Sequence, residues 1–536
     1  MQEQIGIKLI NKAKFWKQSC DLCLILTTVA LFYLAFPTGG YSSVTWFALI
    51  PVLISLKNQN TRQAFIIGFL AALLGWLFSI WWVVPGLSDI TYSSANLIIP
   101  FVLLYCCFSA LPYAVVSWLH VYLNWGKSIH GAFLSALSLT ALVNYTPQIL
   151  PGNLAHALYD APKLIQSADI GGVPLVFFII HSVGFLLATA ITLDKAKYYQ
   201  RFGAIFLAIA LFSTNYLYGD FRIKQGDSIN TDTAKKLNVA MIQPNIAIKN
   251  RTREDWQQIA PDLMSMIYKV TQSEQVDLVI LPELPVPVSF QYFDFDKAIL
   301  NQSLAKKALL LTAIQPLAEE SGDKKGFYNT IELIVNNDIQ QRYSKQVLLP
   351  FGEYLPLADT FLWLKSVFPF VPNYKQGASD TLFTVKAKEH SIKVIPLICY
   401  EAVFSDIIRD NVKAGGELLI NTSNDAWFGD TAGQKVHLAL STFRSIEYRK
   451  AMIRTTNNGI SVIIDPYGRQ IESSKITPYT RGYSVTTVSV LPSKSFYQQH
   501  PYMIKWLILI ITAFGIVMTL RSQTQAIKHR QLNERY

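Results

Sequence analysis

The sequence predicts a multi-pass α-helical membrane domain of about eight spans, joined to one water-soluble α/β domain. Three observations lead there. Charged residues fill only 15% of the 536 positions against 51% hydrophobic, whereas about a quarter of a soluble globular chain is charged. The apolar residues crowd into roughly the first 220 positions and one block near the C-terminus. Between them, roughly 260 residues of ordinary soluble composition alternate strand-like and helix-like runs, enough for one large domain.

Seven apolar runs precede residue 220, at roughly 22–36, 43–56, 63–84, 96–122, 129–145, 172–193 and 203–218, and an eighth covers about 503–520. Several fall short of the ~20 residues that a spanning helix prefers, the second most of all. A cleavable signal peptide would account for the first run alone. Buried helices of a soluble protein cannot account for seven such runs in so short a stretch. The expected organisation is a membrane domain at 1–220 with seven helices, a polar linker at 221–235, the soluble domain at 236–490, and a final helix with a basic tail at 491–536.

Every second connection is basic. Lys8, Lys12, Lys14 and Lys17 precede the first run, Lys57 and Arg62 separate the second from the third, and Lys127 follows the fourth. Lys195, Lys197 and Arg201 lie between the sixth and seventh, and Arg521, Lys528, Arg530 and Arg535 end the chain. The alternate loops are nearly free of positive charge: 37–42 and the Asp89 loop carry none, and 146–171 has only Lys163. Cytoplasmic loops are the basic ones, so both termini are expected in the cytoplasm and the soluble domain outside it. Much of the net charge of +11 sits in those inner loops, where it meets anionic lipid headgroups. No nucleic-acid-binding motif competes for it. The loop 146–171, with Pro147, Pro151, Gly152 and Pro162, is expected to be a connector on the outer side.

Within the soluble part, strand-like runs recur at 237–243, 276–281, 308–314, 329–335, 394–398, 418–421, 460–464 and 483–490. Apolar residues repeat at intervals of three and four across 256–270 and 436–452, the helical spacing. Alternating strands and helices predict a layered α/β domain, whose active sites commonly lie at strand ends.

Three reactive side chains stand at such ends. Cys399 closes the apolar run Lys393-Val-Ile-Pro-Leu-Ile-Cys399, and Glu283 closes Val276-Asp-Leu-Val-Ile-Leu-Pro-Glu283. Lys345 follows the strand-like Arg342-Tyr-Ser. Of the other cysteines, Cys20 and Cys23 stand at the entrance of the first span and Cys106 and Cys107 inside the fourth, so Cys399 is the unpaired thiol of an extracytoplasmic domain, either a working nucleophile or a buried inert residue. Taken singly, each of the three has an ordinary structural explanation. Together they suit covalent acyl chemistry: a thiol to attack, a carboxylate to take and return its proton, and an ammonium to stabilise thiolate and oxyanion.

The order glutamate, lysine, cysteine resembles the nitrilase (carbon–nitrogen hydrolase) superfamily. In its membrane context the chain is similar to the apolipoprotein N-acyltransferase branch. Asn421-Thr-Ser-Asn424-Asp-Ala-Trp427-Phe-Gly429 and Arg454-Thr-Thr-Asn457-Asn-Gly459 carry the same likeness. The resemblance implies an αββα sandwich for the soluble domain, with Glu283 as general base, Lys345 as oxyanion stabiliser and Cys399 as nucleophile. It implies that Glu353 orients the lysine, that Tyr400 and Glu401 support the nucleophile from the positions just after it, and that Trp427 and Phe428 form an aromatic pair at the pocket. It further implies a reaction on a bacterial inner membrane, at its periplasmic face. A phospholipid sn-1 acyl chain passes to Cys399 as a thioester and then to the α-amine of a lipoprotein's S-diacylglyceryl cysteine. A membrane-tethered amidase whose thioester is resolved by water is the alternative, and a transporter or scaffold with an inert domain is the non-enzymatic one. The nearly uncharged spans and the intact Glu/Lys/Cys set speak against the last.

No cofactor is expected, and the scattered histidines make no zinc pattern, so no metal is expected either. The default assembly is a monomer. The stretch 361–371, rich in Phe, Leu and Trp, is too apolar for a routine exposed loop. It is either packed in the core or a lid beside the site, with Trp363 as a substrate-binding candidate.

Overall fold

A computed structural model of the chain describes residues 2–91, 95–229, 234–247, 253–272, 275–285, 304, 307–316, 326–369, 371–378, 382–387 and 390–533. They divide into two compact units. One comprises Met1–Trp81, Ile99–Arg222 and His500–Tyr536, the other Trp82–Ile98 and Ile223–Gln499.

The first unit is helical. Among the described residues, six helices are long and apolar enough to cross a membrane by length and composition: Trp16–Ala35, Thr61–Ile80, Ile98–Tyr122, Ala168–Thr192, Lys195–Asp227 and Met503–Asn533. The run at 129–145 is one shorter helix, Ile129–Tyr145. The run at 43–56 is divided between a 3-10 turn, Ser42–Trp46, and the helix Ile50–Ser55, which carries Pro51 in its first turn. Six helical residues reach only about 9 Å, so that segment is too short to span a bilayer alone. Residues 221–227, expected in the linker, instead continue the helix Tyr198–Asp227.

Packing in this unit rests on small residues, which let helices approach where water supplies no hydrophobic drive. Thr61–Ile80 opens with a reciprocal cap between Asn60 and Gln63. It then buries Ala64, Gly68, Ala71, Ala72 and Gly75, and Trp76 meets Phe32 and Phe36 edge-on at 5.5 and 5.8 Å. Asp169 is buried but paired with Arg222 Nε at 2.8 Å and Tyr218 Oη at 2.7 Å. It precedes a kink at Gly172, whose φ of 66° suits glycine. The connector 146–171 is folded into the unit, with Leu154–Leu158 buried.

The second unit contains two six-stranded sheets. The first has β1 (Lys235–Gln243), β2 (Leu278–Ile280), β3 (Ala308–Pro316), β4 (Phe327–Val335) and β5 (Asp338–Ser344) in sequence order, with β12 (Gly482–Val490) beside β1. The second runs β11 (Gln470–Ile476), β10 (Ser461–Ile464), β9 (Met452–Thr456), β8 (Leu418–Ser423), β7 (Ser391–Ile398) and β6 (Phe383–Lys386). Strands β1–β3 are mutually parallel, as are β7–β9. Period-two alternation sorts the side chains. Leu237, Val239 and Met241 of β1 join Leu278, Ile280, Val394, Ile398 and Ile420 in the core between the sheets. Ala240 and Ile242 face the other way, onto Leu263, Met266, Ile267 and Val270 of α1 (Arg253–Thr271). On the second sheet α2 (Ser405–Lys413) and α3 (Gly433–Tyr448) complete an αββα sandwich.

The eight expected strands all form, while β6, β9 and β11 go beyond them, as does β5, of which the sequence marked only the end at Arg342-Tyr-Ser. The helix expected over 436–452 stops at Tyr448, because Arg449 turns left-handed with φ 49°. Arg449 is fully buried, with its guanidinium 4.5 Å from the centre of the Tyr467 ring and bonded to the Pro466 carbonyl at 3.0 Å. Lys450 and Ala451 follow, and Met452–Thr456 become β9.

Candidate active site

Glu283 lies just beyond β2, Lys345 just beyond β5, Cys399 just beyond β7, and Asn424 just beyond β8. Because β4 runs antiparallel to both β3 and β5, β5 ends on the same rim as β2. Glu283 N–H donates to Ser423 O at 3.4 Å and Asn424 N–H donates to Glu283 Oε2 at 3.0 Å, so the rims of the two sheets meet.

At this seam the structure brings the three candidates together. The Cys399 thiol and the Glu283 carboxyl group act on each other's ionisation, so the two stand side by side. Lys345 Nζ is 3.7 Å from Glu283 Oε1 and 2.7 Å from Glu353 Oε1. Asn329 Nδ2 donates to Glu283 at 2.8 Å and to Glu353 at 3.4 Å, while Glu353 Oε2 also accepts Leu349 N–H at 2.8 Å. Glu283 and Lys345 are 4% and 1% exposed, so their charges interact with little screening.

Burial sets the electrostatics. It pushes the Glu283 carboxyl above its ordinary value, and Glu353 adds to the rise while Lys345 opposes it. Burial alone would lower the Lys345 ammonium, but Glu353 and Glu283 outweigh it and hold the proton more tightly than usual. Burial raises the Cys399 thiol, as does Glu283, against the pull of Lys345. The thiol thus rests neutral, beside the Glu283 carboxyl group and a firmly charged lysine. A thiol in that setting gives up its proton as it attacks.

Cys399 adopts φ 50° at the start of a 3-10 turn, Cys399–Val403. Outside glycine such a backbone costs about 1–3 kcal/mol and needs surrounding structure to hold it. Glu401, fully buried, supplies part of that structure. Its Oε1 accepts Tyr343 O–H at 2.8 Å and the N–H groups of Gln346 and Val347 at 2.6 and 3.1 Å, and its Oε2 accepts Ile398 N–H at 2.7 Å. One carboxylate thereby ties the residues following Lys345 to the residue preceding Cys399. Burial pushes its carboxyl up to about 7 against the pull of Lys345 and these donors.

Tyr400 is buried edge-on against Phe404 at 4.7 Å. Trp427 and Phe428 lie on the 3-10 turn Asp425–Phe428, Trp427 partly exposed and Phe428 packed on Trp82 at 5.5 Å. Trp363, 60% exposed, heads the short helix Leu364–Val367 and is not among the side chains hydrogen-bonded at the seam. Around it Phe361, Leu362 and Val367 are exposed and only Phe368 is buried, on Phe351 at 5.9 Å. Core packing therefore does not explain this stretch, whose residue 370 lies outside the described residues.

Sequence reasoning gave no role to Asn329, Ser423, Asp425, His437 or Arg454, all buried here. Ser423 lowers the Cys399 thiol and donates to Asp425 at 2.8 Å, and Arg454 pairs with Asp425 at 2.8 Å. Three of these residues stood within the motifs 421–429 and 454–459. Asn329 and His437 sat in an ordinary strand and helix, with no local signal.

Comparison with known proteins agrees with this architecture. Residues 238–490 match the carbon-nitrogen hydrolase family, and residues 29–186 match the apolipoprotein N-acyltransferase N-terminal domain. The chain is 25% identical to the apolipoprotein N-acyltransferase of Geobacter metallireducens, over 95% of this chain and 97% of that one. With the corresponding proteins of Pseudomonas syringae and Chlorobaculum tepidum it shares 28% over 83% of each chain, and 24% over 93% and 97%. A carbon–nitrogen hydrolase sandwich, a helical part matching the N-acyltransferase N-terminal domain and relatives aligned nearly end to end place this chain in the apolipoprotein N-acyltransferase family.

Proposed function

We propose that this protein moves an acyl chain from a membrane phospholipid to the α-amine of a lipoprotein's N-terminal S-diacylglyceryl cysteine, through a thioester on Cys399. The observation that carries the reading is the convergence of three side chains: the Cys399 thiol beside the Glu283 carboxyl group, and Lys345 Nζ 3.7 Å from that group. In the first half-reaction Glu283 takes the thiol proton as sulfur attacks the sn-1 ester carbonyl, and Lys345 Nζ faces the oxyanion. Collapse breaks the C–O bond, Glu283 returns the proton to the departing glycerol oxygen, and a lysophospholipid leaves. In the second half Glu283 deprotonates the incoming ammonium. That first proton passes on to solvent; the amine attacks the thioester and gives a second proton to Glu283, which delivers it to the Cys399 sulfur as the C–S bond breaks.

Glu353 is assigned the orientation of Lys345, Tyr400 and Glu401 the support of the nucleophile, and Trp427, Phe428 and Trp363 contact with lipid. The basic alternate loops support an inner-membrane protein, acting as a monomer, with both termini cytoplasmic and the site on the periplasmic side. Membrane helices suit substrates that stay in the bilayer, since each buried methylene favours it by about 0.8 kcal/mol.

The test is to incubate the purified protein with phospholipid alone and examine Cys399 by peptide mass spectrometry. A persisting acyl adduct, discharged by a diacylated lipopeptide, is expected. Release of free fatty acid without any amine would instead identify a hydrolase. Cys399→Ala should give no adduct, and Cys399→Ser at most feeble turnover.

A further inference from the structure

The left-handed backbone of Cys399 is held from behind. Its carbonyl oxygen receives two side-chain donors, Asn421 Nδ2 at 3.1 Å and His437 Nε2 at 3.2 Å. Both donors are oriented by one fully buried guanidinium. Arg454 Nη1 donates to Asn421 Oδ1 at 2.7 Å, and Arg454 Nη2 lies 3.0 Å from His437 Nδ1. Asp425 receives the same Nη2 at 2.8 and 3.0 Å, which fixes the guanidinium in turn.

The tautomer of His437 follows from its partners. An arginine offers only donors, so Nδ1 facing Nη2 is an acceptor and the proton sits on Nε2, aimed at the Cys399 carbonyl. The opposite tautomer would give Asp425 Oδ1, 3.2 Å from Nδ1, a proton, but would set a nitrogen lone pair against the carbonyl oxygen. Burial, then Arg454, lowers the imidazole's affinity for a second proton against Asp425 and the carbonyl, which keeps it neutral. The ring is also clamped sterically: Phe428 meets it edge-on at 5.8 Å and Trp82 meets Phe428 edge-on at 5.5 Å.

We propose that His437 is a positioning residue for thioester formation: its Nε2–H, aligned by Arg454 and Asp425, holds the Cys399 carbonyl so that the sulfur stays aimed at Glu283 and Lys345. This rests on the reading of Cys399 as nucleophile. His437 touches no reacting atom. Its effect passes through the backbone of Cys399, where a displacement of about 1 Å is enough to cost on the order of a hundredfold in rate.

The experiment compares the wild-type full-length protein with His437→Leu, which fills similar volume without a donor, and His437→Gln, whose amide N–H can reach the same carbonyl. His437→Met replaces the leucine variant if that chain does not fold. Two rates are read per folded molecule by peptide mass spectrometry: alkylation of Cys399 by iodoacetamide, and acyl-Cys399 formation from phospholipid vesicles. The donor-less variant is expected to slow both by about tenfold to a hundredfold at unchanged half-saturating phospholipid, with glutamine restoring most of the loss. A merely structural role would reduce the yield of folded protein but leave the rate per molecule intact. Wild-type rates in the donor-less variant, or equal losses with leucine and glutamine, would overturn the proposal. Should the wild-type protein form no acyl adduct at all, the thioester reading fails, while the alkylation rates still decide whether His437 positions Cys399.

Discussion

Lys345 lies nearer Glu353 than Glu283, at 2.7 against 3.7 Å. The lysine is thereby committed to Glu353, and Glu283, although beside a cation, accepts from Asn329 and Asn424 and faces the Cys399 thiol. Removing the Glu353 charge should upset this division. In Glu353→Gln, Lys345 loses its close partner, and the repulsion that helps raise Glu283 disappears, so Glu283 becomes a weaker base. Thioester formation should slow by about tenfold or more, and its acid limb should move to lower pH. Rapid-quench measurement of acyl-Cys399 across pH would check both.

The wild-type pH profile follows from the same carboxylate. Glu283 works as a base only when ionised, and burial raises its affinity for the proton. The acylation rate should therefore rise with pH along a limb above the ordinary glutamate value of 4.5. Glu283→Gln should abolish the limb and lower the rate by about 10²–10⁴-fold. The raised thiol makes a companion expectation: iodoacetamide should label Cys399 more slowly at pH 8 than it labels a free thiol of ordinary acidity.

Glu401 offers a stability test. In Glu401→Gln the amide oxygen can serve the Tyr343, Gln346 and Val347 donors only if its NH₂ faces Ile398 N–H, donor against donor. At pH 8, where the carboxylate is ionised, the change should cost about 1–3 kcal/mol. Thermal unfolding in detergent would read that loss, and Cys399 acylation should fall with it because the tie between the two loops is weakened.

The exposed apolar stretch around Trp363 should matter only when substrate lies in a bilayer. Leu362→Ser combined with Trp363→Ser leaves the core untouched, since both side chains are exposed. Acyl transfer from vesicles should drop severalfold while reaction with a short, water-soluble thioester stays at the wild-type rate. Phe368→Ser would be a poor probe, because Phe368 packs on Phe351.

Strand ends were legible in the sequence because buried parallel strands read as unbroken apolar runs, so a carboxylate or thiol closing such a run stands out. That is how Glu283 and Cys399 were found; Lys345 followed a weaker, half-polar strand and needed the family resemblance. Strand β9, Met452–Thr456, was hidden because helical spacing seemed to continue through 452, and nothing local announces the left-handed turn at Arg449. The Asn421–Arg454–His437 cluster was invisible for a different reason: its members lie on three elements, and only the pairing of β8 with β9 puts Arg454 beside Asn421. In the membrane unit hydropathy located the long helices but not the short ones at Leu154–Leu158 and Pro162–Ile165, nor the break at 47–49 within the second run.

Residues Trp82–Ile98, though flanked in sequence by membrane helices, group with the sandwich, and their helix Val83–Thr91 meets the turn that carries Phe428. Liberating the hydrolase part by starting a polypeptide at residue 223 would therefore produce an incomplete globule. Phe428 would lose the indole it rests on, and an aromatic face made to be covered would be left to solvent. Recovery of a well-behaved fragment should require grafting that seventeen-residue piece back, or supplying it in trans.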